Sequence, residues 1–166
     1  MTTLTIATPD EMAELGARLA AELRAGDVLA LNGELGAGKT TLTRGLGAAL
    51  GVRGTVTSPT FVLARTHPRL SGGTPLVHVD AYRLSSPAEL DDLDIDYAAS
   101  IVVVEWAAGM LDGLTEDWLE VNIARPTGGA GVPDAAEDSD EADDAEPREV
   151  TIVAHGSRWA GLTLAR

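Results

Sequence analysis

The stretch Gly33-Glu34-Leu35-Gly36-Ala37-Gly38-Lys39-Thr40 has the spacing G-x-x-x-x-G-K-[ST] of a phosphate-binding loop. It follows the apolar run Val28-Leu29-Ala30-Leu31 and precedes a helix-like stretch from Thr40 to Leu50. That strand–loop–helix context is what the spacing requires. Lys39 is the only lysine of the chain; the other 11 of its 12 basic residues are arginines. A compact ammonium reaches between neighbouring phosphates, where the broad arginine fork fits poorly. Gly33, Gly36 and Gly38 are expected to adopt backbone angles closed to other residues, turning successive N–H groups inward. The helix after Lys39 adds unpaired N–H groups and the positive end of its dipole. Gly33 and Leu35 to Thr41 (Leu35, Gly36, Ala37, Gly38, Lys39, Thr40 and Thr41) are therefore the candidate phosphate contacts. The Thr40 hydroxyl is positioned to ligate Mg²⁺.

Working outward, Leu4 to Ile6 reads as a strand. Thr8, Pro9 and Glu11 carry the spacing of a capping box with proline at the first helical position. Met12, Leu15, Leu19 and Leu23 follow at helical intervals. Leu42, Leu46 and Leu50 form the apolar stripe of the next helix, which Gly51 ends. Phe61 to Ala64 reads as a strand, Thr66 to Pro75 as a turn-rich connection, and Leu76 to Val79 as a strand ending in Asp80. A short helix is predicted over Ser86 to Leu93. The wholly apolar Ile101-Val102-Val103-Val104 suggests a strand buried on both faces, as in parallel sheets, and it ends in Glu105. Leu119–Ala124 and Val150–Ala154 read as a terminal hairpin, and Trp159 to Leu164 as a last strand or short helix. The sum is an α/β fold of P-loop NTPase type. Its central sheet is largely parallel and flanked by helices, with C-terminal antiparallel strands.

The 166 residues are expected to form one domain. No apolar run approaches the roughly 20 residues that span a bilayer, and there is no signal-peptide layout, so a cytoplasmic protein is expected. There are no cysteines, which removes disulfides and thiolate chemistry. The net charge of −14 argues against autonomous nucleic-acid binding. The residues 127–147 are Gly/Pro-rich and then acidic, and are expected to be a disordered solvated insert.

Hydrolysis needs more than a phosphate loop. Two carboxylates, Asp80 and Glu105, stand at the carboxyl ends of apolar strands, where ligands of open α/β sheets gather. Glu105 ends the more buried strand and is assigned to magnesium, directly or through water. Asp80 is assigned to orienting the attacking water or to supporting the metal. Ser58 and Thr60 lie in a loop that reads as a γ-phosphate switch or an ordinary turn. Arg83 reads as a charge-stabilising or partner-docking residue or a surface ion pair. Trp106 reads as core, as a cover for the site or as a partner contact. His67, His78 and His155 show no metal spacing and receive no role.

Several segments together resemble the TsaE (formerly YjeE) family. They are Leu31 to Thr41, Val56-Thr-Ser-Pro-Thr-Phe61, His78-Val-Asp-Ala-Tyr-Arg-Leu84, Glu89-Leu90 with Asp94-Ile95-Asp96, and Val103-Val-Glu-Trp106. The resemblance implies an ATPase of low intrinsic turnover. It would act with the proteins TsaD and TsaB in threonylcarbamoyl modification of the tRNA adenosine beside the anticodon. It implies ATP and Mg²⁺ as ligands, with Thr40 and Glu105 on magnesium and Leu35 to Thr40 on the phosphates. It also implies Thr8 near the adenine, catalytic roles for Asp80 and Lys39, and a functional Trp106. Two other readings use the same loop: a small-molecule kinase, and a nucleotide-dependent interaction module with little hydrolysis.

Overall fold

A computed structural model describes residues 1–59, 63–126 and 146–164. The strands are β1 (Thr2–Ile6), β2 (Val28–Gly33), β3 (Ala64–His67), β4 (Leu76–Asp80), β5 (Ile101–Glu105), β6 (Trp118–Ala124) and β7 (Arg148–His155). The helices are α1 (Pro9–Glu22), α2 (Lys39–Leu50) and α3 (Pro87–Asp91). One sheet runs in the order β1-β7-β6-β2-β5-β4-β3. Its centre, β6-β2-β5-β4, is parallel, and the pairs β1–β7, β6–β7 and β3–β4 are antiparallel. This is the expected P-loop α/β architecture with an antiparallel C-terminal hairpin.

Strand periodicity of two sorts the apolar residues onto the two faces. Leu29, Leu31, Ile101, Val103, Leu119 and Val121 join the core shared with α1 and α2. Val28, Ala30, Val77, Val79, Val102 and Val104 face the other way, onto Leu90 of α3 and Leu111. Every residue of β5 is buried, which is why its sequence shows no alternation.

The start of α1 follows the sequence signal. The Thr8 hydroxyl accepts from Glu11 N–H at 3.2 Å. Glu11 reaches back one residue further than the usual capping box, accepting from Ala7 N–H at 2.7 Å. Gly51, at φ 70°, ends α2. At the other end of the chain, Trp159 closes a 3₁₀ turn, Ser157–Trp159, and is buried. Arg158 clamps that turn to the α1–β2 corner through both Asp27 oxygens, at 3.1 and 2.9 Å.

Four local expectations change. β3 occupies Ala64–His67, so Thr66 and His67 belong to a strand paired with β4 rather than to a turn. The edge position explains the miss: Arg65 and Thr66 are exposed, so the strand carries no apolar pattern. The buried face of α2 is Lys39, Leu42, Thr43, Leu46 and Gly47, while Leu50 is only half-buried at the helix end. α3 is a turn and a half, Pro87–Asp91, capped by the Ser86 hydroxyl. Beyond the 3₁₀ turn the chain up to Leu164 is neither strand nor helix. Residues 60–62 and 127–145, and with them Thr60, the first half of the predicted Phe61–Ala64 strand and most of the acidic insert, lie outside the described residues; Leu63 is a bend, and Ala64 opens β3.

Candidate phosphate-loop site

β2 delivers the chain to the loop from the centre of the sheet. Gly36 (φ 76°) and Gly38 (φ 111°) both take the left-handed conformation. Gly33 does not: its need is space, since an added Cβ would lie 2.9 Å from the Ile123 carbonyl oxygen of β6 and 3.0 Å from Ala37 Cβ. Gly38 caps α2 without any side-chain hydrogen bond. The cap residue therefore supplies no side-chain acceptor to the first-turn N–H groups of α2, which lie at the cavity wall formed by Gly38, Lys39, Thr40 and Thr41.

Lys39 is buried, 6% exposed. Its Nζ donates to the carbonyls of Gly33 at 2.7 Å and Glu34 at 2.9 Å. It also sits 4.2 Å from the centre of the Trp106 ring. Burial pulls its pKa below the usual lysine value, and the nearby Glu105 and Asp80 oppose that shift. Outside the loop, Arg125 Nη2 donates to the Gly36 carbonyl at 3.2 Å.

The parallel pairing of β4 with β5 places Asp80 directly opposite Glu105. Both line a cavity of about 720 Å³ together with the loop. Asp80 Oδ1 accepts from Tyr82 N–H at 2.9 Å, which closes a tight turn after β4. Glu105 is 3% exposed, and its Oε1 lies 2.9 Å from Nε2 of the fully buried His78. Trp106 follows with φ 58°, an uncommon backbone for a bulky residue and a strain of roughly 1–3 kcal/mol. Its N–H bonds to the Leu31 carbonyl at 2.9 Å, and its ring lies 5.0 Å from that of Tyr82. The strained backbone thus turns the indole toward Lys39.

Thr8 both caps α1 and lines the cavity, with Ile6 and Met12 beside it. Ser58 also lines it; Arg83 is exposed and lies off its wall. Leu35 lines the cavity but is 87% exposed, so its side chain forms rim rather than floor. Three contributors escaped the sequence reading. His78 sits two residues before Asp80, on the same face of β4, which was a legible signal. Tyr82 follows Asp80 and was masked by its exposed turn. Arg148 stands opposite Ile6 in the β1–β7 pairing and lines the cavity with Glu146. Nothing local marks it, because about a hundred residues of chain separate it from the loop.

The donor set suits a hard cation. Thr40 and Glu105 offer oxygen ligands on the cavity wall. Among the described residues no cluster of three or more His, Cys, Asp or Glu exists that would cage a metal alone. One carboxylate, one hydroxyl and ligand oxygens are the usual surroundings of Mg²⁺.

A buried parallel strand, a glycine loop, a helix N-terminus and acids on adjacent strand ends define the P-loop class of α/β proteins. The family model described as threonylcarbamoyl adenosine biosynthesis protein TsaE matches residues 6–130. The chain is 57% identical over 152 residues to the tRNA threonylcarbamoyladenosine biosynthesis protein TsaE of Streptomyces coelicolor, covering 90% of this chain and 94% of that protein. It is 35% identical over 157 residues to the Bacillus subtilis protein of the same name, covering 93% and 86%. The crystal structure of Bacillus subtilis YdiB superposes with a TM-score of 0.66 at 30% identity, covering 96% of this chain and 88% of that one. The chain belongs to the TsaE family. Among the described residues no helix is long and apolar enough to cross a membrane.

Proposed function

We propose that this protein is a magnesium-dependent ATPase of the cytoplasm that acts with TsaD and TsaB in threonylcarbamoyl modification of tRNA adenosine. The tRNA role rests on the family and on the names of its relatives. The ATPase reading rests on one observation: loop amides, Lys39, Asp80 and Glu105 converge on a single cavity of about 720 Å³. That size suits a nucleotide.

In this reading the amides of residues 35–41 receive the phosphates. Lys39 exchanges the Gly33 and Glu34 carbonyls for phosphate oxygens. Those two bonds at 2.7 and 2.9 Å hold the ammonium in place beforehand, so little rotamer entropy is lost on binding. Thr40 and Glu105 would hold magnesium, which when bound would neutralise phosphate charge. Asp80 keeps one oxygen on the Tyr82 amide and turns the other to the attacking water. Thr8, with Ile6 and Met12, walls the adenine end. Ser58, Tyr82 and Trp106 border the phosphate end. The chain's charge of −14 makes it a poor tRNA ligand, so partner subunits hold the tRNA.

Phosphate release and ATP affinity are the tests, measured with and without TsaB–TsaD and with candidate nucleosides as acceptors. Lys39→Ala should abolish both binding and turnover. Unchanged affinity and hydrolysis in that variant would defeat the assignment. Phosphate passed to a nucleoside would favour a kinase instead, and binding without hydrolysis under every condition an interaction module.

A further inference from the structure

We propose that His78 is a positioning residue that aims Glu105 at the metal; this rests on the reading of Glu105 as a magnesium ligand. Four observations carry it. His78 is fully buried, and Glu105 nearly so, at 0% and 4% side-chain exposure. Their contact, His78 Nε2 to Glu105 Oε1, is 2.9 Å. An ionised carboxylate only accepts, so Nε2 carries the hydrogen and donates. The other ring nitrogen, Nδ1, is buried with no hydrogen-bond partner among the described residues. The ring's one hydrogen bond among the described residues is thus the one to Glu105.

The pairing of the strands supplies the direction. Asp80 lies opposite Glu105, and His78 lies opposite Val103, two residues deeper along β5. Glu105 belongs to the cavity wall and His78 does not. The imidazole therefore holds one carboxylate oxygen from behind, and the second oxygen is left for the cavity. A glutamate side chain has three rotatable bonds. Fixing one oxygen from the protein side removes most of that freedom before any cation arrives. Hydrogen bonds of this kind to a ligating carboxylate typically change metal affinity by about 10–100-fold.

A pair that only neutralised buried polarity would stabilise the fold and leave magnesium dependence untouched. The experiment separates the two by binding rather than turnover. ADP affinity is measured by calorimetry across a magnesium chloride titration and again in EDTA. His78→Leu keeps the volume and removes the donor. It should raise the half-saturating magnesium concentration roughly 10–100-fold and leave the EDTA affinity within about twofold of the native chain. His78→Gln places an amide N–H near the position of Nε2 and should recover most of the loss. If His78→Leu does not fold, His78→Asn, whose amide stops short of Glu105, replaces it in the comparison with His78→Gln. A native magnesium midpoint in the donor-less variant, or equal impairment in the donor-less and glutamine variants, overturns the inference. A native chain whose ADP binding ignores magnesium overturns the metal reading of Glu105 itself, and this inference with it.

Discussion

Gly38→Ala isolates what the loop's backbone contributes. At φ 111° an alanine carries the strain of the left-handed region, roughly 1–3 kcal/mol. Alanine also has fewer conformations than glycine in a relaxed, unliganded loop, so ordering it on binding costs less, an offset of about 0.4–1 kcal/mol by the same entropy argument that applies to an unfolded chain. The net is roughly 1–2 kcal/mol, a factor of about 5–30. A steric contribution competes with this one: the new Cβ would lie 3.3 Å from Met12 Cε. That atom is the far end of a flexible side chain and need only give a few tenths of an ångström, so the steric share is small. Residues 34–36 are exposed, so the free loop relaxes locally, whereas a phosphate-bound loop needs the original geometry. The loss should therefore appear as ADP affinity lowered about 5–30-fold, with Tm falling by less than about 4 °C. Calorimetry and thermal melts read both, in a double-mutant cycle with Met12→Leu. The expected coupling is below about 0.5 kcal/mol. Native affinity in Gly38→Ala, or its recovery by Met12→Leu, would refute the strain argument.

Glu105→Ala should fold and lose magnesium-dependent ATP turnover; a fully active variant would move the metal to Asp80. Deleting residues 127–145, which spares Glu146 on the cavity wall, should leave basal ATP turnover intact, and loss of the fold on circular dichroism would count against a solvated spacer. Asp27→Ala removes the bidentate partner of Arg158, whose side chain is 23% exposed and can partly recover water. The cost should therefore fall to about 2 kcal/mol, below that of a wholly buried pair, and lower Tm by roughly 4–8 °C. His67 has its pKa depressed below 6.5, chiefly by burial and then by the charges of His78 and Arg65. The unfolded chain then binds protons more readily, so this contribution is complete above pH 6.5 and is lost as pH falls through the folded value. Urea midpoints should drop with acid in the native chain and drop less in His67→Phe; parallel slopes would refute it.

Much of the fold was legible because local patterns and tertiary demands agree. The Thr8 cap, the Gly51 stop and the all-apolar Ile101–Val104 run each fix an element through short-range chemistry. β3 was legible only in part, because an edge strand with exposed Arg65 and Thr66 needs its partner β4 to be recognised. The loop glycines divide the same way. Gly36 and Gly38 answer to their own dihedrals, while Gly33 answers to a carbonyl ninety residues away on β6.

By itself the sequence determined the phosphate loop, the strand ends bearing Asp80 and Glu105, and the family, because spacing along one strand or turn carries that information. Only the tertiary structure decided that Asp80 faces Glu105, that His78 backs Glu105, that Trp106 covers Lys39, and that Arg148 reaches the cavity wall. These are contacts between segments distant in the chain. They follow from strand order and register, which are fixed by burying two apolar faces of one sheet at once.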